Sequence, residues 1–154
     1  MKEGDFTSAK DLIRRARLWP ENLGVGRPYD PDERVEDLLE AACRSISGDR
    51  IAVHDALNRI AAYTRAHPDD WGIGALAGVV AMREAERREE AGELLIRWKA
   101  AQPESTIPRM VEEWLQSPNG ESASDLPISE PVSAGNDLEA RLAVEILEIA
   151  GHYF

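Results

Sequence analysis

Apolar residues recur at three- and four-residue steps along most of the chain, and no stretch alternates apolar and polar positions as a half-buried strand does. The pattern predicts an all-α protein. A first helix over Asp5 to Leu18 sets Phe6, Ala9, Leu12, Ile13 and Ala16 on one side and Lys10, Arg14, Arg15 and Arg17 largely on the other, and Pro20 ends it. Gly24, Gly26, Pro28 and Pro31 then break any regular element from Glu21 to Pro31. Asp32 can cap a second helix with Val35, Leu38, Leu39, Ala42 and Ile46 inward, stopped at Gly48. A third runs from Asp49 through Val53, Ala56, Leu57, Ile60, Ala61 and Tyr63 to Ala66, closed by Pro68.

Asp69 or Asp70 caps a fourth helix, Trp71 to Ala85, in which Gly72, Gly74 and Gly78 permit a close helix crossing. A fifth, Arg87 to Ala101, turns Ala91, Leu94, Leu95 and Trp98 inward and stops before Pro103. The short sixth, Ser105 to Leu115, tolerates Pro108 because a first-turn amide has no intrahelical acceptor to lose. From Ser117 to Asn136 the chain is rich in Ser, Pro, Gly and acidic residues and too poor in large apolar ones to offset the entropy of ordering, so a tether is expected. Asn136 or Asp137 caps a last amphipathic helix with Leu138, Leu142, Ile146 and Ile149 as its apolar stripe.

The helix ends expose a repeat. His54 to Asp70 aligns without a gap on Glu89 to Ser105, placing Ala56 and Ala91, and Pro68 and Pro103, 35 residues apart, and Gly4 to Pro20 is a less perfect third copy. A small residue early in a second helix and a proline behind it, at this period, describe a helical hairpin stacked on its own copies. In these features the chain resembles the tetratricopeptide-repeat family. Gly4, Asp5, Phe6 and Ala9 match the glycine, acidic, aromatic and alanine opening of that family's second helix, and Ala56 with Pro68 and Ala91 with Pro103 match its alanine and closing proline. First helices depart from the family pattern: Leu76 and Gly78 stand one position off its leucine–glycine pair, and Cys43 and Arg44 replace that pair in the preceding unit. The resemblance covers residues 1–115 and implies a right-handed superhelix of stacked hairpins.

Trp19 to Gly26 is similar to a segment of bacterial multidomain proteins that carry such repeats after a β-rich domain linked to carbohydrate chemistry. Gly4 to Pro20 would then be the second half of a hairpin, so that either the chain is a piece of a longer protein or another element covers Phe6, Leu12 and Ile13.

Composition narrows the function. Of 154 residues, 18 are Lys or Arg and 29 Asp or Glu, and a net charge of −11 repels nucleic acid and anionic membranes. From Glu104 onward there are 10 acidic and 2 basic residues, so the last third holds most of the negative charge. No apolar run reaches the ~20 residues of a membrane span, no signal peptide is legible, and the lone Cys43 cannot form an internal disulfide, so a cytoplasmic protein is expected.

No catalytic or metal-binding constellation stands out. His54, His67 and His152 lack the spacing of a helical metal pair, and Cys43 reads as a small packing residue. The pairs Glu36–Asp37, Glu89–Glu90 and Glu112–Glu113 diverge by about 100° around their helices and read as solvated. Trp19, Trp71, Trp98 and Trp114 fit packing between hairpins.

The expectation is therefore a hairpin-repeat domain at 1–116, a tether at 117–136 and an amphipathic helix at 137–154 that caps the stack or swaps into a second chain to make a homodimer. The final helix could settle on the basic Arg14–Arg17 side or in the groove. The function expected is a non-catalytic scaffold, without cofactor, for a peptide or partner helix. Under the resemblance Ile73, Val80 and Arg83 line its surface, with Arg83 able to grip a carboxylate. The alternative is an accessory domain or subunit of a carbohydrate-active enzyme.

Overall fold

The computed structural model describes residues 3–18, 29–116 and 136–154, and all regular structure among them is helical. The elements are α1 (Glu3–Ala16), α2 (Arg34–Ile46), α3 (Arg50–Ala66), α4 (Ile73–Glu84), α5 (Arg88–Ala101), α6 (Ile107–Gln116) and α7 (Asn136–Tyr153). Consecutive helices pack as hairpins, α2 on α3 and α4 on α5, and the two hairpins stack through α2 and α3 against α4. This is an all-α fold of sequentially packed hairpins, consistent with a stacked-helix solenoid. The expected tether lies almost wholly outside the described residues, as does Trp19.

Local chemistry sets the helix ends. Gly48, at φ +73°, turns the chain between α2 and α3, and the Asp49 carboxylate accepts the Ala52 amide at 3.2 Å. Such a cap is worth ~1 kcal/mol. His67 and Pro68 end α3, Gln102 and Pro103 end α5, and Pro108 sits in the first turn of α6. Two caps differ from expectation. Glu33 stands at the N-cap of α2, because Asp32 instead spends its carboxylate on the Arg34 amide at 3.1 Å and on the Arg34 guanidinium. Gly72, at φ +97°, rather than Asp69 or Asp70, precedes α4.

α4 is the centre of the molecule. Ile73 to Met82 carries no charge, and every side chain or glycine from Ala75 to Met82 is buried. Helices α2, α3, α5, α6 and α7 all pack against it. Its glycines give it that access. A Cβ at Gly78 would collide with the Thr64 side chain of α3, and one at Gly74 would lie 2.5 Å from both Arg34 and Asp32. The expected close crossing is therefore present at Gly78, against α3, while Gly74 makes room for the Arg34–Asp32 pair. Burial of large apolar side chains, each worth ~1.5–3 kcal/mol, concentrates here with Leu38, Ile60, Leu94, Trp98, Val111 and Trp114.

The outer helices depart from the predicted stripes. In α7 the buried residues are Ala140, Ala143, Ile146, Leu147 and Ala150, whereas Leu138 and Leu142 are 76% and 39% exposed. The docked face is turned about a quarter of a revolution from the Leu138–Leu142–Ile146–Ile149 line, at ~100° per residue. In α2 the expected Leu38 and Ala42 are buried, joined by Ala41 and Cys43, and only Ile46, 39% exposed, departs from the stripe. On α7 the docked face combines three alanines with Ile146 and Leu147, so small side chains share the contact with large ones. On α1, Leu12 is 62% exposed and Ile13 half-buried, so no element among the described residues covers the whole expected stripe.

Between α4 and α5 the Arg87 amide reaches back to the Met82 carbonyl at 2.8 Å and the Glu86 amide to Arg83 at 3.0 Å. This termination holds Glu86 at φ +60°, a left-handed position that glycine adopts without steric cost. Glu86→Gly should raise stability by about 0.5–1 kcal/mol in urea denaturation; an unchanged or lower midpoint contradicts this termination.

Candidate functional site

The residues expected to line a binding surface all lie on α4, in three different environments. Ile73 is half-buried against the core, and Val80 is completely buried. Arg83 lies with its guanidinium carbon 3.9 Å from the centre of the Trp114 ring on α6 and its Nε 3.5 Å from Glu84. Arg83 thus belongs to a stacked pair that its sequence neighbours give no sign of. Burial pushes the Glu84 carboxyl above its ordinary range, against the opposing charges of Arg83 and Arg88.

The surface that includes these residues is built from the first helices of successive hairpins, α2, α4 and α6, and α7 packs on all three. Its direction follows from two ties. At one end the Glu139 Oε1 lies 2.9 Å from where a Cβ on Gly72 would stand, beside the start of α4. At the other the Ser45 hydroxyl, near the end of α2, donates to the Tyr153 carbonyl at 2.6 Å. Since Gly74 meets Arg34, α2 and α4 begin side by side, and α7 runs parallel to both. The two ties agree in register. Counted from these contacts, Tyr153 falls within about a turn of Glu86 and Ser45 within about a turn of Ala85. Of the resting places expected for the final helix, this is the first-helix face. The basic end of α1 is engaged elsewhere: Arg17 pairs with Asp37 at 2.6 Å and Glu40 at 2.9 Å on α2.

Two buried donors on this face lack an acceptor among the described residues. They are Nη1 of Arg83 and Nε1 of Trp114, the latter in a side chain only 2% exposed. An unsatisfied buried donor costs ~1–3 kcal/mol.

A second charged cluster joins α1, α2 and α3. Arg34 is 2% exposed and holds Asp32 at 2.8 Å, the Thr64 hydroxyl at 3.4 Å and the Asp70 carbonyl at 3.5 Å. Burial raises the Asp32 carboxyl, but the hydrogen bonds and charge of Arg34, with His67, outweigh it and hold the group below its ordinary value. Asp37, expected on a solvated face, bridges Arg17 and Arg59. Glu90 reaches Arg65 and Glu112 reaches Lys99, so several of the paired carboxylates link neighbouring helices. Arg17, Arg34, Arg59, Asp37 and Tyr63 surround a cleft of about 380 Å³ in which every arginine has a carboxylate partner. These are tie points between helices.

The groups capable of chemistry are dispersed. The Cys43 thiol is buried and its pKa pushed up by that burial. His54 is exposed beside Asn58, His67 stacks on Tyr63 at 4.0 Å, and His152 lies in the last turn of α7. No three His, Cys, Asp or Glu side chains among the described residues are grouped to hold a metal ion, and no described helix is long and apolar enough to cross a membrane. No protein-family model matches the chain, and neither a curated protein nor a solved structure matches it.

Because the folded-state pKa of Asp32 is lowered, its contribution to stability is present above the unfolded value and is lost as pH falls through the folded one. Because the Asp32 carboxylate is 40% exposed and partly screened by solvent, Asp32→Asn should destabilise the chain by about 1 kcal/mol at pH 7. The gap from the parent should close as pH falls below ~3.9, followed by urea midpoints from pH 7 to 2. A gap independent of pH contradicts the charged pair.

Proposed function

We propose that the chain is a non-catalytic protein-interaction scaffold whose first-helix face receives an amphipathic helix. The observation that carries this reading is α7 itself. A helix from the chain's own end lies along α2, α4 and α6 and buries Ala140, Ala143, Ile146, Leu147 and Ala150. A surface that accepts one helix by a stripe of small and branched side chains has the shape and apolar character to accept another. The 35-residue spacing of Ala56 with Ala91 and Pro68 with Pro103 supports a tetratricopeptide-like, right-handed stack as the architecture of this scaffold. Ile73 and Arg83, both only partly exposed, mark the two ends of the α4 portion of the face.

Shortening the chain by its final 38 residues, Ser117 to Phe154, bares the face. The shortened chain should then bind more of a hydrophobic dye or self-associate in light scattering, and a peptide of residues 136–154 added in trans should reverse the effect. A shortened chain that stays monomeric, equally stable and dye-silent contradicts the proposal, and turnover of a glycoside by the purified full chain contradicts its non-catalytic part.

A further inference from the structure

We infer that the partner recognised by this face is an acidic amphipathic helix that replaces α7 and carries a hydrogen-bond acceptor where α7 has Ala150. The inference rests on the scaffold reading above and adds the chemistry of the partner to it.

Its first support is the imprint of α7. The buried positions 140, 143, 146, 147 and 150 define the pattern small, small, Ile, Leu, small at steps of three, three, one and three. At the other end, where Gly72 has no side chain, a carboxylate from the bound helix already fills the space, and Glu139 occupies it. An acidic residue preceding the first small position therefore fits without rearrangement.

The second support is what α7 leaves undone. Counting from the contact of Glu139 with Gly72, with both helices rising ~1.5 Å per residue, places Arg83 within about one turn of Ala150. Ala150 is 1% exposed and its methyl group accepts no hydrogen bond. Arg83 Nη1 and Trp114 Nε1, stacked together at this level, are both buried and without an acceptor among the described residues. The resident helix thus matches the face in shape and fails it in polarity at one place. A helix from another protein that brings a carboxylate or amide to that place satisfies donors that α7 cannot. That difference lets a ligand in trans compete with a helix tethered in cis, whose effective concentration is otherwise a large advantage.

The test uses the intact chain and two labelled peptides of residues 136–154, one of native sequence and one with Ala150→Asp, titrated by fluorescence anisotropy at a chain concentration where light scattering shows a constant mass. The Ala150→Asp peptide should bind at least ~10-fold more tightly than the native one, the factor that one charge-assisted hydrogen bond supplies. Trp114→Phe in the chain removes the indole N–H donor together with part of the ring, and should erase most of that ratio, whereas lost packing alone weakens both peptides alike. Gly151→Ala in the chain strengthens α7 in cis by removing an exposed helical glycine, and should weaken both peptides about fivefold alike. Equal binding of the two peptides, weaker binding of the acidic one, or a ratio unchanged by Trp114→Phe overturns this inference and leaves the scaffold reading standing. Failure of both peptides to bind, including to a chain whose own α7 is disabled by Ala143→Glu, overturns both.

Discussion

The fold depends on hiding one helix. α4 has no charged residue before Arg83, and from Ala75 to Met82 it has no side that tolerates water. A helix apolar around its whole circumference is stable only when enclosed. Two hairpins alone supply α2, α3 and α5 as neighbours, and α6 and α7 complete the enclosure. The glycines at 74 and 78 set how closely the walls approach, and the small side chains on α2 and α7 answer that closeness from the other side. The position of α7 is thus a consequence of α4: the chain needs a helix there, and its own C-terminal segment provides one.

Ion pairs secure this arrangement without driving it. Arg17 fastens α1 to α2 through Asp37 and Glu40, Arg59 draws α3 to the same Asp37, and Arg65 with Glu90 and Lys99 with Glu112 join later neighbours. Pairs at or near the surface contribute ~0–1 kcal/mol each. Arg34 differs because it is buried, and its guanidinium is matched by Asp32, Thr64 and the Asp70 carbonyl. Gly74 keeps the space that this match needs, so the polar cluster and the apolar helix share one constraint.

Much of the fold was legible in the residues that punctuate it. Asp49, Pro68, Pro103 and Pro108 mark helix boundaries that the structure reproduces within two residues, and the repeated alanine and proline spacing foretold hairpins. The stripes on α3 and α5 were also legible, because Leu57, Ile60, Leu94 and Trp98 are both large and inward. Where packing is tightest, size misleads. On α7 the leucines at 138 and 142 draw the predicted face toward solvent, while three alanines dock beside Ile146 and Leu147, since periodicity ranks residues by hydrophobicity and ignores how closely a small side chain lets helices pack. The stack of Arg83 on Trp114 joins residues 31 apart on different helices, and neither carries a local sign of the other. In sequence Gly72 belongs with the glycines of a crossing; its place beside Glu139 depends on a helix more than 60 residues away.

Hydrogen exchange along the intact chain tests the enclosure of α4 by α7 most directly. The account predicts that amides from Ala140 to Ala150 exchange far more slowly than those of an unstructured peptide, with the amides of α4 slower still because every neighbour must part before they open. Amides of α7 exchanging at the rate of a free peptide while α4 stays protected would contradict it, since α4 would then be closed without the helix assigned to close it.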